Sequence, residues 1–144
     1  MLDQLMQGGS KMEMVKQYGP LVGRILLGLI FVIAGIGKLT GFEGTVGYMQ
    51  AHSVPMAQIL AVASTIIELG GGIMLIIGWK ARIGAAALFL YVLILSPIFH
   101  GFWAVPAEQQ QLQMYMFLKN LAIMGGMLYI MAYGTGPMAA EKNS

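Results

Sequence analysis

Cysteine is absent from these 144 residues, which rules out disulfides, thiolate metal sites, iron–sulfur ligation and any C-x-x-C redox relay. Histidine is nearly absent: His52 and His100 are the whole supply, so no His-rich metal cluster can be built. His52 falls outside any obvious spanning helix, which argues against a bis-His haem. Charge is the third scarcity. Only 10% of residues are charged, where a soluble domain carries roughly 25%. The net charge of +2 contains no basic cluster of the kind that makes a nucleic-acid arm.

What is present is apolar. Hydrophobic residues make up 58% of the chain and its mean hydropathy is +0.75, the composition of a membrane protein. Twenty glycines fit that class, since small residues let spanning helices approach closely. The 13 methionines read as packing, with no spacing that suggests a copper site. Four apolar spans lie at 18–39, 55–78, 81–100 and 112–133. Each is about 20 residues, enough to cross ~30 Å of hydrocarbon as a helix. The first has a basic flank but ends without an A-x-A cleavage site and has Arg24 inside it, so it reads as a retained span rather than a signal peptide.

The expected fold is all-α: a four-transmembrane-helix bundle over 18–136, after an exposed arm at 1–17 and before a tail at 137–144. A Gly78-Trp79-Lys80-Ala81 turn makes spans two and three antiparallel neighbours. Phe42, Val46 and Met49, at i, i+4 and i+7, suit a short interfacial helix between spans one and two. Pro106 and Glu108 suit a helix start, so span four should extend outward through Gln109–Gln113. Lys11, Lys16, Lys80, Arg82 and Lys142 fall on one side of this layout, and the opposite loops, 40–54 and 101–111, carry no Lys or Arg. The positive-inside rule therefore puts both termini in the cytoplasm. Trp79 and Tyr133 then mark the inner interface, and Phe102, Trp103 and Tyr115 the outer one.

Against this background four charges stand out, because Arg24, Lys38, Glu68 and Lys119 lie within or at the edge of the spans. An unpaired charge in hydrocarbon costs ~2.5–3.5 kcal/mol on insertion scales, so each should face a packed interior, a partner or a polar cavity. Arg24, Gly28, Phe31, Gly35 and Lys38 stay within about an 80° arc of the first helix. Ser64, Glu68, Gly71 and Gly72 share a face of the second, and Tyr115, Lys119, Gly126, Ile130 and Tyr133 a face of the fourth. Pro97 should disturb the third span near its end. Depth favours an Arg24–Glu68 ion pair, with Lys119, Asn120 and His100 toward the outer side. Three cations against Glu68 leave an excess of positive charge, which a deprotonated Lys, snorkelling or an electron-rich guest would relieve. A bland alternative stands beside this one: a helix-packing clamp, a snorkelling Lys38 and solvated or interfacial histidines.

Taken together these stretches resemble the DoxX/DoxD family of small four-span integral membrane proteins. Those that carry the resemblance are Arg24…Gly28…Phe31…Ala34-Gly35…Lys38-Leu39, Glu68-Leu69-Gly70-Gly71…Gly78, His100-Gly101-Phe102-Trp103 and Lys119-Asn120-Leu121…Gly125-Gly126, with Tyr48…Ala51…Val54-Pro55 in the first loop. The resemblance covers about 18–136. It implies a bacterial or archaeal cytoplasmic (inner) membrane protein. Some family members are membrane subunits of thiosulfate:quinone oxidoreductase and others belong to oxidoreductive-stress complexes. The family's recurrent polar positions correspond here to Arg24, Lys38, Glu68, His100, Lys119 and Asn120.

The leading expectation is thus a membrane subunit that binds quinone for a partner oxidoreductase, with Glu68 as proton relay and the other five residues around the ligand. Quinone is the expected cofactor, and neither metal nor haem is expected. Any sulfur chemistry is expected on a separate subunit. The expected partners are the lipid bilayer, an oxidoreductase subunit and further copies of this chain. A non-catalytic scaffold or assembly factor is the main alternative. A transporter is a third, weakened by four short spans with no inverted repeat.

Overall fold

In the computed structural model, which describes residues 1–142, the described chain is helical and contains no strand. Its helices are α1 (Leu2–Thr40), α2 (Phe42–Ala51), α3 (Ala57–Ile77), α4 (Ala81–Phe99) and α5 (Ala107–Tyr133), with a 3-10 turn at Phe102–Ala104 before the last. Four of them are long and apolar enough to cross a membrane. The expected helix between spans one and two is α2, which buries Val46 and Met49 against Ala57 and Ala61 of α3. Helix α5 begins at Ala107 with Pro106 at its cap and so includes Gln109–Gln113. Helix α4 runs through Pro97 and ends two residues later at Phe99.

Helix α1 starts at Leu2, so the exposed arm is a helical continuation of the first span through Pro20. Proline withholds one N–H and is tolerated at some cost to the helix. Here Pro20 packs against the segment after α5: a Cβ added to Gly136 would meet Pro20 Cβ at 2.6 Å.

Glycine sets the order of packing. A Cβ on Gly28 would lie 2.7 Å from the Gly72 carbonyl oxygen, and one on Gly72 would lie 3.0 Å from the Gly28 oxygen. Backbone meets backbone there, which fixes α1 against α3. Gly71, one residue away, turns to the other side, where a Cβ would come 2.7 Å from Leu88 of α4. The glycine triplet at 70–72 therefore serves two crossings. Around them Phe31, Leu75, Leu88, Val92, Met124, Met127 and Ile130 form the core. Helix α1 packs on α3, α3 on α4 and α4 on α5.

We call the end holding the α3–α4 link the turn end. The end holding α2 and the 3-10 turn is the loop end. Two inward stripes are present as expected. Arg24, Gly28, Phe31 and Gly35 are buried with Lys38 half-buried, and Ser64, Glu68, Gly71 and Gly72 are buried on α3. The α5 stripe requires correction. Gly126 and Ile130 face inward, but Tyr115 is 60% and Tyr133 75% exposed. Helix α5 is covered chiefly on its α4 side, so its buried arc is narrow and centres on Met124, Met127 and Ile130.

Candidate binding cavity

Glu68 lies midway along α3 and is 5% exposed. Lys38 Nζ donates to both carboxylate oxygens, at 3.1 Å to Oε1 and 2.9 Å to Oε2. Tyr91 Oη donates to Oε1 at 2.5 Å. Three helices thus converge on one carboxylate, and the Lys38–Glu68 pair cancels its formal charge inside the span. Sequence reasoning missed Tyr91. The signal was available: tyrosine normally marks the membrane–water interface, whereas Tyr91 lies mid-span among Leu, Phe and Val.

The Arg24–Glu68 pair that depth favoured does not form. Arg24 is 2% exposed, and its donors go to backbone carbonyls. Nε bonds Thr135 O at 3.1 Å, Nη1 bonds Leu75 O and Ile76 O at 3.0 Å each, and Nη2 bonds Met138 O at 2.9 Å. The cause is the end of α3. The last carbonyls of a helix lack partners within it, and in a membrane such groups must be satisfied by the protein itself. Gly78 and Trp79 N–H groups take Met74 O, Arg24 takes Leu75 O and Ile76 O, and Ala140 N–H takes Ile77 O. A cation at the negative end of the helix dipole is also favourable. Segment 134–142 folds back under this end, burying Thr135 completely. Gly78 permits it: φ is 71°, and a Cβ would lie 2.5 Å from Ala139 Cβ and 2.6 Å from Arg24 Nη1.

The other sequence-derived candidates meet in one cavity of about 590 Å³ at the loop half of the bundle. Lys38, Glu68, Tyr91, His100, Lys119 and Asn120 line it, between apolar walls that include Phe31, Val92, Leu95, Phe99 and Ile123. Helix α2 contributes Thr45, Tyr48 and Met49. Asn120 Nδ2 donates to Ser96 Oγ at 3.0 Å, and Ser96 Oγ donates to Val92 O at 2.6 Å. This chain of bonds holds α5 to α4 beside the cavity. His100 Nδ1 lies 2.8 Å from Gln113 Oε1. With that oxygen as acceptor the ring proton sits on Nδ1, leaving Nε2 able to accept. Lys119 Nζ has Met116 Sδ at 3.5 Å, and no carboxylate pairs with it among the described residues. Arg24 is remote from this cavity and borders a smaller one, about 360 Å³, between α1 and α5 at the turn end. His52 is exposed, its Nδ1 2.9 Å from Tyr48 O and its ring against Tyr48 and Phe99.

Ligand pockets typically span ~300–1,000 Å³ with apolar walls and a few placed polar groups, and this cavity meets that description. Among the described residues no three His, Asp or Glu side chains gather as a metal site would require. The polar groups are hydrogen-bond donors and acceptors around one buried acid.

These features define a class: an integral membrane protein of four spans with a polar-lined cavity inside the bundle. The match to the DoxX family over residues 19–101 places the chain in that family. It is 34% identical over 131 residues to inner membrane protein YqjF of Escherichia coli, covering 91% of this chain and 95% of the relative. It is 31% identical over 122 residues to inner membrane protein YphA of the same organism, covering 85% and 87%. Over 78 residues, 54% of this chain and 56% of the relative, it is 33% identical to a Bacillus subtilis protein named "Putative oxidoreductase CatD". No solved structure gives a significant match.

Proposed function

We propose that this protein is a membrane subunit that binds a quinone in the 590 Å³ cavity on behalf of a partner oxidoreductase. The observation that carries the reading is the grouping, on one apolar-walled cavity, of a hydrogen-bonded carboxylate with the donors Lys119 and Asn120 and the acceptor nitrogen of His100. The residues fit such a ligand. Aromatic and aliphatic walls suit a ring, and Lys119 and Asn120 suit its carbonyl oxygens. A quinone would supply two-electron, two-proton redox chemistry. This chain's own contribution is positional and protonic. Glu68 holds a proton site, Lys38 and Tyr91 orient its carboxylate, and Lys119 favours electron-rich oxygen. The name of CatD supports the oxidoreductase half of the reading. The placement of both termini in the cytoplasm belongs to the same proposal and rests on the five basic residues gathered at the turn end.

Titration of the purified protein with a quinone tests this. Binding by the wild type, weakened at least about tenfold in Glu68→Gln and Lys119→Met, is expected. No binding by the wild type, or unaltered binding in both variants, overturns it. The scaffold alternative draws on the helical arm, residues 2–18, every residue of which is exposed. Removing residues 2–17 separates the two readings: loss of a co-purifying partner with quinone binding retained assigns the arm to docking and leaves the cavity its own role.

A further inference from the structure

The cavity has a side. Leu27 of α1 reaches Gly126 of α5, where a Cβ would meet Leu27 Cδ1 at 3.0 Å. These helices run antiparallel, so stepping forward from Leu27 corresponds to stepping back from Gly126. Three residues on, Ile30 faces Ile123, and a further turn on, Ala34 faces Lys119. All four line the 590 Å³ cavity. Ile30 is also 40% exposed, and Lys119 is exposed as well. Residues that both line a cavity and are exposed mark where it is accessible, and these lie on α1 and α5. In contrast to the α1–α3, α3–α4 and α4–α5 contacts, the α1–α5 seam is not closely packed. Its rim is apolar at Ile30, Ala34 and Ile123, with one cation at Lys119. Among the described residues that cation's one hydrogen-bond partner is a thioether sulfur at 3.5 Å, and a charge within the span is unfavourable without an electron-rich partner.

We infer that the α1–α5 seam is a lateral doorway from the bilayer, and that the cavity's ligand is lipid-tailed, with an electron-rich oxygen head on Lys119 and its tail between Ile30 and Ile123. The inference deepens the quinone reading and rests on it for the choice of head group. An isoprenoid quinone and an anionic phospholipid share this chemistry, an apolar tail bearing electron-rich oxygen, and the experiment distinguishes them.

The chain has no cysteine, so Ala34→Cys or Ile123→Cys introduces a unique thiol on the doorway. Each variant is reconstituted, labelled with a bulky methanethiosulfonate, and then reduced to release the label. Binding is measured before labelling, after labelling and after reduction, for a decyl-tailed benzoquinone, a tailless benzoquinone and a two-chain anionic phospholipid. Labelling should weaken the decyl-tailed quinone at least about tenfold, with recovery on reduction, while weakening the tailless quinone far less. Recovery excludes misfolding as the cause. If the label blocks the phospholipid and neither quinone binds at any stage, the doorway stands and the quinone reading falls. Equal binding of the tailed quinone with and without label overturns the doorway and leaves the quinone reading in place. Thiols that resist labelling because they cross-link to a second copy also overturn it, since the seam is then an interface between copies.

Discussion

At the scale of single residues, a charge in the membrane is costly without a partner, and the partner it finds decides its role. Lys38 and Glu68 found each other, with side chains 20% and 6% exposed. Removing one member strands the other, which typically costs about 3–5 kcal/mol, whereas removing both is far milder. Lys38→Met should therefore destabilise the detergent-solubilised protein by about 3 kcal/mol, and Lys38→Met/Glu68→Gln by clearly less. Thermal unfolding of the single and double variants checks this; strictly additive losses would show that the pair is uncoupled. Arg24 found carbonyls instead. A lysine has one compact charged head and cannot serve four carbonyls on two segments. Arg24→Lys should thus lose nearly as much stability as Arg24→Met, on the order of 3 kcal/mol, read from the same melts. Five of the six site candidates read from the sequence do border one cavity, because inward stripes and depth can be counted along a helix. Arg24 could not be placed that way. Its partners are main-chain oxygens, one of them on Thr135 and another on Met138, and backbone carbonyls leave no mark in a sequence.

At the scale of elements, glycine placement separates faces that hydropathy cannot. Gly28 and Gly37 sit on the same helix, yet a Cβ at Gly28 collides with the Gly72 carbonyl while one at Gly37 meets nothing within 4 Å. Gly28→Ala should cost about 1–3 kcal/mol through overpacking at a backbone contact that cannot yield. Gly37→Ala should be neutral or slightly stabilising, since alanine is the better helix former. Retention of the monodisperse peak on heated size-exclusion runs compares them, and equal behaviour would contradict the assigned crossing. The spans themselves were legible in advance because twenty apolar residues have one viable conformation in lipid. Helix α2 was legible from three residues at helical spacing. The exposed outer face of α5 was less so. Tyr115 and Tyr133 share a stripe with Ile130, but their polar tips suit an exposed position near the interface, and periodicity alone does not say which side of an amphipathic stripe is covered.

At the scale of the whole molecule, charge asymmetry is the ground for the proposed direction of insertion. With Lys11, Lys16, Lys80, Arg82 and Lys142 at one end and none in the opposite loops, Ala104→Cys should react with a membrane-impermeant thiol reagent added to intact cells. Ser10→Cys should react only after lysis. The opposite pattern would invert the proposed topology. Segment 134–142, folded beneath the end of α3, has a consequence of another kind, one of timing. Arg24 is made before the second, third and fourth spans, whereas Thr135, Met138 and Ala140, its own or α3's partners, are made after all of them. Until those late residues emerge, the guanidinium lacks two of its four acceptors and the Ile77 carbonyl has no donor. The turn end therefore cannot reach its final state while the spans are still being synthesised. Its completion joins the first span to residues that follow the fourth, so the two ends of the membrane domain are tied together only after all four spans have been made.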